Sequence, residues 1–181
     1  MSTGETISKL IEKHTADQVV DLEAVVTGYG GDVRHDFSDA TLRGALTYEE
    51  DEPVFHLNQN NSKPEDKCTL ALLFAKYLIQ LGSGTFRSHK VDTFLLQDIR
   101  QYRESHQIML ATHLAIPVEV ISQVDDIMFN SSAYALKANL TTHFINSAFN
   151  VNQVSGLLGL FTQLNIVNDG RSGRIKKEMT L

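Results

Sequence analysis

The sequence predicts an α+β domain in which a small antiparallel sheet of three strands packs on a buried helix and a helical C-terminal half follows. Three observations predict this class. Short runs rich in β-type residues fall between positions 33 and 57. An almost uniformly apolar stretch follows from Cys68 to Leu81, and apolar residues recur at helical spacing from position 91 onward.

The N-terminal region carries two patterns that are typical of helix starts. Ser2 and Glu5 precede an apolar run that begins at Ile7, and Thr15 and Gln18 precede a second apolar run. In such a capping box the hydroxyl and the carboxyl or amide group satisfy free N–H groups of the first helical turn. We therefore expect two short helices here, the second ending at a cluster of glycines near position 30.

Three short strands are expected after these glycines, at Val33–Phe37, Leu42–Tyr48 and Val54–Leu57. An acidic turn from Glu49 to Pro53 joins the second strand to the third, and we expect a small antiparallel sheet. The polar segment Asn58–Asp66 contains Pro64 and predicts a loop.

The remainder of the chain predicts helices. The segment Cys68–Leu81 is apolar on all sides, which is typical of a helix at the centre of a domain. Four further helices are expected: one from Val91 to Ile116 that Pro117 stops, a short one near Val118–Val124, one with the apolar stripe Ala133, Leu136, Leu140 and Phe144, and one from Val154 to Leu164.

Length and composition restrict the class of protein. The 181 residues favour one domain, which we place at 1–167 with a helical subdomain at about 118–167, followed by a polar, flexible tail at 168–181. The single cysteine, Cys68, excludes an internal disulfide and is expected in the core. We see neither a signal peptide nor a membrane-spanning run, and we expect a cytoplasmic protein. The net charge of −6 disfavours nucleic acid as a partner.

The usual catalytic and metal-binding motifs are not evident. Gly82-Ser-Gly-Thr85 lacks the Gly-Lys-Ser/Thr ending of a phosphate-binding loop and reads as a connection. His106 and His113 are seven residues apart, which separates them by about 10 Å along a helix. Because zinc–nitrogen bonds are about 2 Å long, these two histidines cannot share one zinc ion.

Several segments, taken in order, resemble the ImmA/IrrE family of zinc metallopeptidases. Thr69–Leu78 is similar to the family's metal helix, Thr-Leu-Ala-His-Glu-x-Gly-His-Tyr-Leu. Glu104–Pro117 is similar to its second motif, Glu-x-x-Ala-Asn-x-Phe-Ala-x-x-Leu-Leu-x-Pro. Gly44–Leu46 with Val54–Asn58 resembles its hairpin, and Phe149–Val167 resembles its closing helix. The resemblance runs from about Leu10 to Val167 and rests on the order and spacing of these segments.

The residues at the family's metal positions differ in this chain. Leu72 and Lys76 stand where the family has two zinc-binding histidines, and Leu73 stands where it has the general-base glutamate. Glu104 alone keeps the residue type of a ligand. The resemblance therefore implies the family's fold with no catalytic residue, no bound metal and no other cofactor. We also expect the Lys76 ammonium to lie near the Glu104 carboxylate.

The function that the resemblance implies is that of a non-catalytic regulator. Members of the family act on helix-turn-helix repressors of phages and mobile elements, so the expected partner is such a repressor and the expected activity is antirepressor-like. One alternative is a metallopeptidase with a rearranged site that uses Glu104, His106 and His89. Another is a nucleic-acid-binding module formed by Val151–Val167. The sequence leaves the oligomeric state open, and a homo-oligomer is compatible with it.

Overall fold

The chain folds into an α+β arrangement, which confirms the predicted class. The structure is a computed structural model and describes residues 3–50, 52–83, 94–97, 105–121 and 131–147. The predicted helix at Val154–Leu164 and the tail at 168–181 lie outside these residues. Within them, no helix is long and apolar enough to cross a membrane.

The N-terminal region contains two helices and a small hairpin: α1 (Thr3–Lys13), β1 (Thr15–Ala16), β2 (Val19–Val20) and α2 (Leu22–Gly28). The predicted helix start at Thr15 is wrong, because Asp17 and Gln18 adopt positive φ angles of 50° and 65° and form the hairpin turn. Helix α2 begins later, where the Asp21 carboxylate accepts a hydrogen bond of 3.1 Å from the backbone N–H of Ala24.

The main sheet has four strands in the order β3-β5-β4-β6: β3 (Asp32–Phe37), β4 (Gly44–Glu49), β5 (Glu52–Asn58) and β6 (Phe94–Leu96). Strand β3 pairs in parallel with β5, while β4 pairs antiparallel with both β5 and β6. The expected three-stranded antiparallel sheet is therefore wrong. The main sheet has one more strand than expected, and β3 pairs in parallel with β5 instead of antiparallel.

The loop between β3 and β4 accounts for this pairing. It carries the chain past the position of β5, so that β5 returns between the two earlier strands. The Asp39 carboxylate accepts hydrogen bonds from the backbone N–H groups of Thr41 and Leu42, and the buried Asn58 side chain donates to the carbonyls of Asp39 and Leu42. These bonds fix the crossing loop against the end of β5.

Helix α3 (Lys63–Ser83) is the central element of the described fold. It begins within the segment predicted as a loop, because Ser62 and Glu65 form a capping box: the Glu65 carboxylate accepts from the Ser62 N–H and hydroxyl, both at 2.8 Å. As predicted, the part from Cys68 to Leu78 is almost entirely buried. Rings from α3 and the sheet meet in the core, with Phe55 and Phe74 5.9 Å apart.

Four helices follow β6 in the described residues: α4 (Ser105–Ala115), α5 (Val118–Ile121), α6 (Ser131–Ala138) and α7 (142–147). The helix predicted from Val91 is wrong at its start, where β6 lies, and correct in its second half, which ends before Pro117 as expected. The predicted stripe from Ala133 to Phe144 is divided between α6 and α7, because Asn139 has a φ of 55° and breaks the helix. As a result Leu140 and Phe144 are buried, whereas Leu136 is 85% exposed.

Candidate functional site

Leu72 and Leu73 on α3, two of the positions at which the sequence resemblance implies lost metal-site residues, carry apolar side chains. Leu72 is 1% exposed and Leu73 is fully buried, so both lie inside the core. The buried amide of Gln107, on α4, donates a hydrogen bond of 2.6 Å to the backbone carbonyl of Leu72. Helix α3 thus contacts α4 through this bond and through apolar packing. A leucine side chain offers no lone pair to a metal and no group that accepts a proton.

Lys76 is the only cationic side chain in the otherwise apolar part of α3 from Cys68 to Ser83, and it is half-buried. Its Nζ lies 5.0 Å from the centroid of the Phe94 ring, at the start of β6. This distance is within the range of a cation–π interaction, which stabilises an ammonium group that has lost part of its water. An ammonium group at this position would repel a metal ion.

The other predicted site residues are only partly described. Glu104 and His89 lie outside the described residues, so the expected Lys76–Glu104 pair stays a prediction. His106 lies exposed in the first turn of α4. His113 lies buried in the last turn of the same helix, and burial lowers its pKa. In the described ranges, no group of three or more His, Cys, Asp or Glu side chains is placed to hold a metal ion.

Cys68 lies in the core, as predicted from its position at the start of the apolar segment. Its sulfur accepts a hydrogen bond from the backbone N–H of Thr141 at 3.4 Å. Burial raises the pKa of the thiol to about 11, against the lowering effect of the hydrogen bonds from Thr141. The thiol is therefore protonated at neutral pH, which does not suit a nucleophile.

A polar network that the sequence did not reveal crosses three neighbouring strands. The Nδ1 atom of His56, on β5, lies 2.8 Å from the Asp36 carboxylate on β3, and its Nε2 lies 2.8 Å from the hydroxyl of Thr47 on β4. A neutral ring that carries its proton on Nδ1 donates to Asp36 and accepts from Thr47. The order hydroxyl, imidazole, carboxylate is also that of an activated nucleophile. Because the three side chains join neighbouring strands, we assign the network to strand pairing.

Beside this network, Arg34 connects two further acidic side chains. Its guanidinium donates to both oxygens of Glu49, at 2.7 and 2.9 Å, and to Asp32 at 2.7 Å. The hydrogen bonds from Arg34 lower the pKa of the Glu49 carboxyl. Alternating polar residues in β3, β4 and β5 are visible in the sequence, but these contacts depend on a strand register that the sequence does not specify.

A cavity of about 600 Å³ opens between the start of α3 and the helices α6 and α7. None of Leu72, Leu73 and Lys76 lines it. Near it, the Nζ of Lys67 donates a hydrogen bond of 2.8 Å to the carbonyl of Ala138 at the end of α6. Burial lowers the pKa of Lys67 to about 8. This lysine holds the C-terminal end of α6 against α3.

Comparisons of the chain with known proteins give no match among protein-family models, curated proteins or solved structures.

Proposed function

We propose that this chain is a non-catalytic relative of the zinc metallopeptidases that acts by binding another protein. The observation that carries the proposal is the burial of Leu72 and Leu73 in the core on α3. At these positions the resemblance would place a zinc ligand and a general base. Hydrocarbon side chains supply neither function, since ligation needs a lone pair and hydrolysis needs a group that accepts a proton from water.

The residues that contact α3 support a structural role for the part of the helix that contains Leu72 and Leu73. The sheet contributes Phe55, which packs on Phe74 of α3, and α4 contributes the Gln107 amide that donates to the Leu72 carbonyl. A helix packed in this way stabilises the domain through buried apolar surface. The scaffold is then available to present its outer surface to a partner.

The proposed partner class comes from the sequence resemblance. A helix-turn-helix repressor is the substrate that the family motifs imply, and a protein that retains recognition without cleavage would act as an antirepressor. Binding that covers the repressor's DNA-contacting surface would release operator DNA by competition, with both chains intact.

The proposal is tested with a purified helix-turn-helix repressor and its labelled operator DNA. We expect added protein to lower the fluorescence anisotropy of the DNA in a saturable way, while the repressor stays full-length on a denaturing gel. As a control, Leu72→Met keeps the apolar core of α3 and should behave like the native chain. DNA that stays bound at saturating protein would contradict the proposal, and release that requires repressor cleavage would contradict its non-catalytic part.

A further inference from the structure

The cavity beside the start of α3 has the dimensions of a ligand-binding site. Its volume of about 600 Å³ falls within the range that is usual for sites that bind small molecules or peptide ends. Residues from three separate parts of the chain form its walls: Arg43, Ser62, Pro64, Glu65, Ser132, Ala135, Leu136, Asn139, Leu140, Thr141, Thr142 and His143. The cavity is therefore a product of the tertiary fold.

Arg43 supplies the cationic group of this cavity. Its side chain is 26% exposed, and its contact with a carboxylate oxygen of Glu65 is 3.9 Å long, which is beyond hydrogen-bond distance. The other Glu65 oxygen accepts two hydrogen bonds from Ser62 at 2.8 Å. Among the described residues, Arg43 makes no shorter ion pair. Its planar guanidinium thus keeps donors for an oxyanion, and a carboxylate fits this fork with two parallel bonds.

The start of α3 is not the anion-binding element. The Ser62–Glu65 capping box already occupies that helix end and places a carboxylate there. An anion in the cavity would therefore depend on Arg43 rather than on the helix dipole.

Opposite in character to the charged Arg43, other residues give the cavity an apolar wall. Pro64, Ala135 and Leu140 contribute to it, together with Leu136, whose side chain is 85% exposed. A single exposed leucine is common on protein surfaces, but this one lines a cavity that is also lined by the positively charged Arg43. A ligand with an aliphatic group would cover Leu136 and remove its apolar surface from water.

We propose that this cavity binds an organic carboxylate with an adjacent aliphatic group, and that the free carboxyl terminus of a peptide ending in an aliphatic residue is its ligand. The carboxylate pairs with Arg43 and the aliphatic side chain packs on Leu136. This site is separate from the α3 positions discussed above and does not depend on the proposed antirepressor function. The test of repressor binding and the test of carboxylate binding can therefore give opposite results.

The test uses two peptides and the ¹⁵N-labelled protein. Acetyl-Ala-Ala-Leu with a free carboxyl terminus and the same peptide with an amidated terminus are titrated while amide chemical shifts are recorded. We expect saturable shifts that centre on Leu136, Asn139 and Thr142 with the free acid, and an affinity at least about tenfold lower with the amide.

Matched variants separate the cavity from general charge effects. Arg43→Gln should weaken binding of the free acid by about tenfold or more, whereas Lys63→Gln makes the same change of charge at an exposed residue outside the cavity and should leave it unchanged. Leu136→Asp, at an exposed position that should not affect folding, should also abolish binding.

Four results would overturn the proposal: no saturable shift with the free acid, equal affinity for acid and amide, equal losses in Arg43→Gln and Lys63→Gln, or displacement of the peptide by inorganic phosphate at equal affinity. The last result would show that the apolar wall plays no part.

Discussion

Leu73 and Leu136 show at the residue scale how one side-chain type serves two environments. Leu73 is fully buried on α3, and Leu136 is 85% exposed on α6. Because a buried carboxylate without a partner costs several kcal/mol, we expect Leu73→Asp to lose about 4 kcal/mol or more of unfolding free energy. Leu136→Asp should change it by less than about 0.5 kcal/mol. Urea unfolding followed by circular dichroism measures both, and a soluble Leu73→Asp variant with an unchanged midpoint would contradict the buried role of α3.

Lys67 gives a pH-dependent prediction. Its pKa falls from the ordinary lysine value of 10.5 to about 8 in the fold, mainly through burial and against the raising effect of Cys68 and Asp21. Between these two values the unfolded chain binds more protons than the folded chain, so the free energy of unfolding rises with pH. Relative to Lys67→Met, the native protein should gain up to about 1 kcal/mol between about pH 8 and pH 9.

Urea unfolding of both chains at these pH values checks the prediction. The comparison with Lys67→Met removes most of the effect of Cys68, whose titration lowers stability as pH rises above 9, because burial rather than Lys67 is the largest cause of the shift in the Cys68 pKa. A difference between the two chains that does not change with pH would show that the Lys67 ammonium is not desolvated.

The sequence predicts the environment of some single residues and not of others. The burial of Cys68 and Leu72 was predictable, because an apolar run without glycine or proline is typical of a buried helix. The contacts of His56 with Asp36 and Thr47 were not, since they join residues 9 and 20 positions apart through strand register.

At the scale of elements, the close approach of β4 to α3 depends on Gly44. A Cβ atom there would lie 2.5 Å from Cγ2 of Thr69 and 2.9 Å from the backbone carbonyl oxygen of His56. We expect Gly44→Ala to lose about 1–3 kcal/mol, because neither the helix nor the neighbouring strand can move freely. Gly28→Ala is the control, since its Cβ would meet only the flexible end of Leu10. In thermal unfolding, the melting temperature of Gly44→Ala should be well below that of Gly28→Ala. Equal melting temperatures would contradict this packing.

The strands of the main sheet were predicted only in part. The three strands from Asp32 to Asn58 were placed near their observed positions, because composition and turn residues specify strands locally. The expected antiparallel pairing of all three strands was wrong because parallel pairing of β3 with β5 depends on the loop held by Asp39 and Asn58. Strand β6 was missed because its three residues lie in a region with helical periodicity.

At the scale of the whole molecule, α3 is a helix whose residues serve packing where the resemblance would place chemistry. The separate cavity at the start of α3 offers a distinct surface for a ligand. These two features are the basis of the proposal that the protein acts by binding.

Native mass spectrometry of the protein mixed with a helix-turn-helix repressor in the presence of zinc distinguishes binding from cleavage directly. We expect a complex whose mass is the sum of two intact chains, without bound zinc, because Leu72 and Lys76 cannot ligate the ion. A zinc adduct that disappears in Glu104→Ala, together with fragments of the repressor, would contradict it.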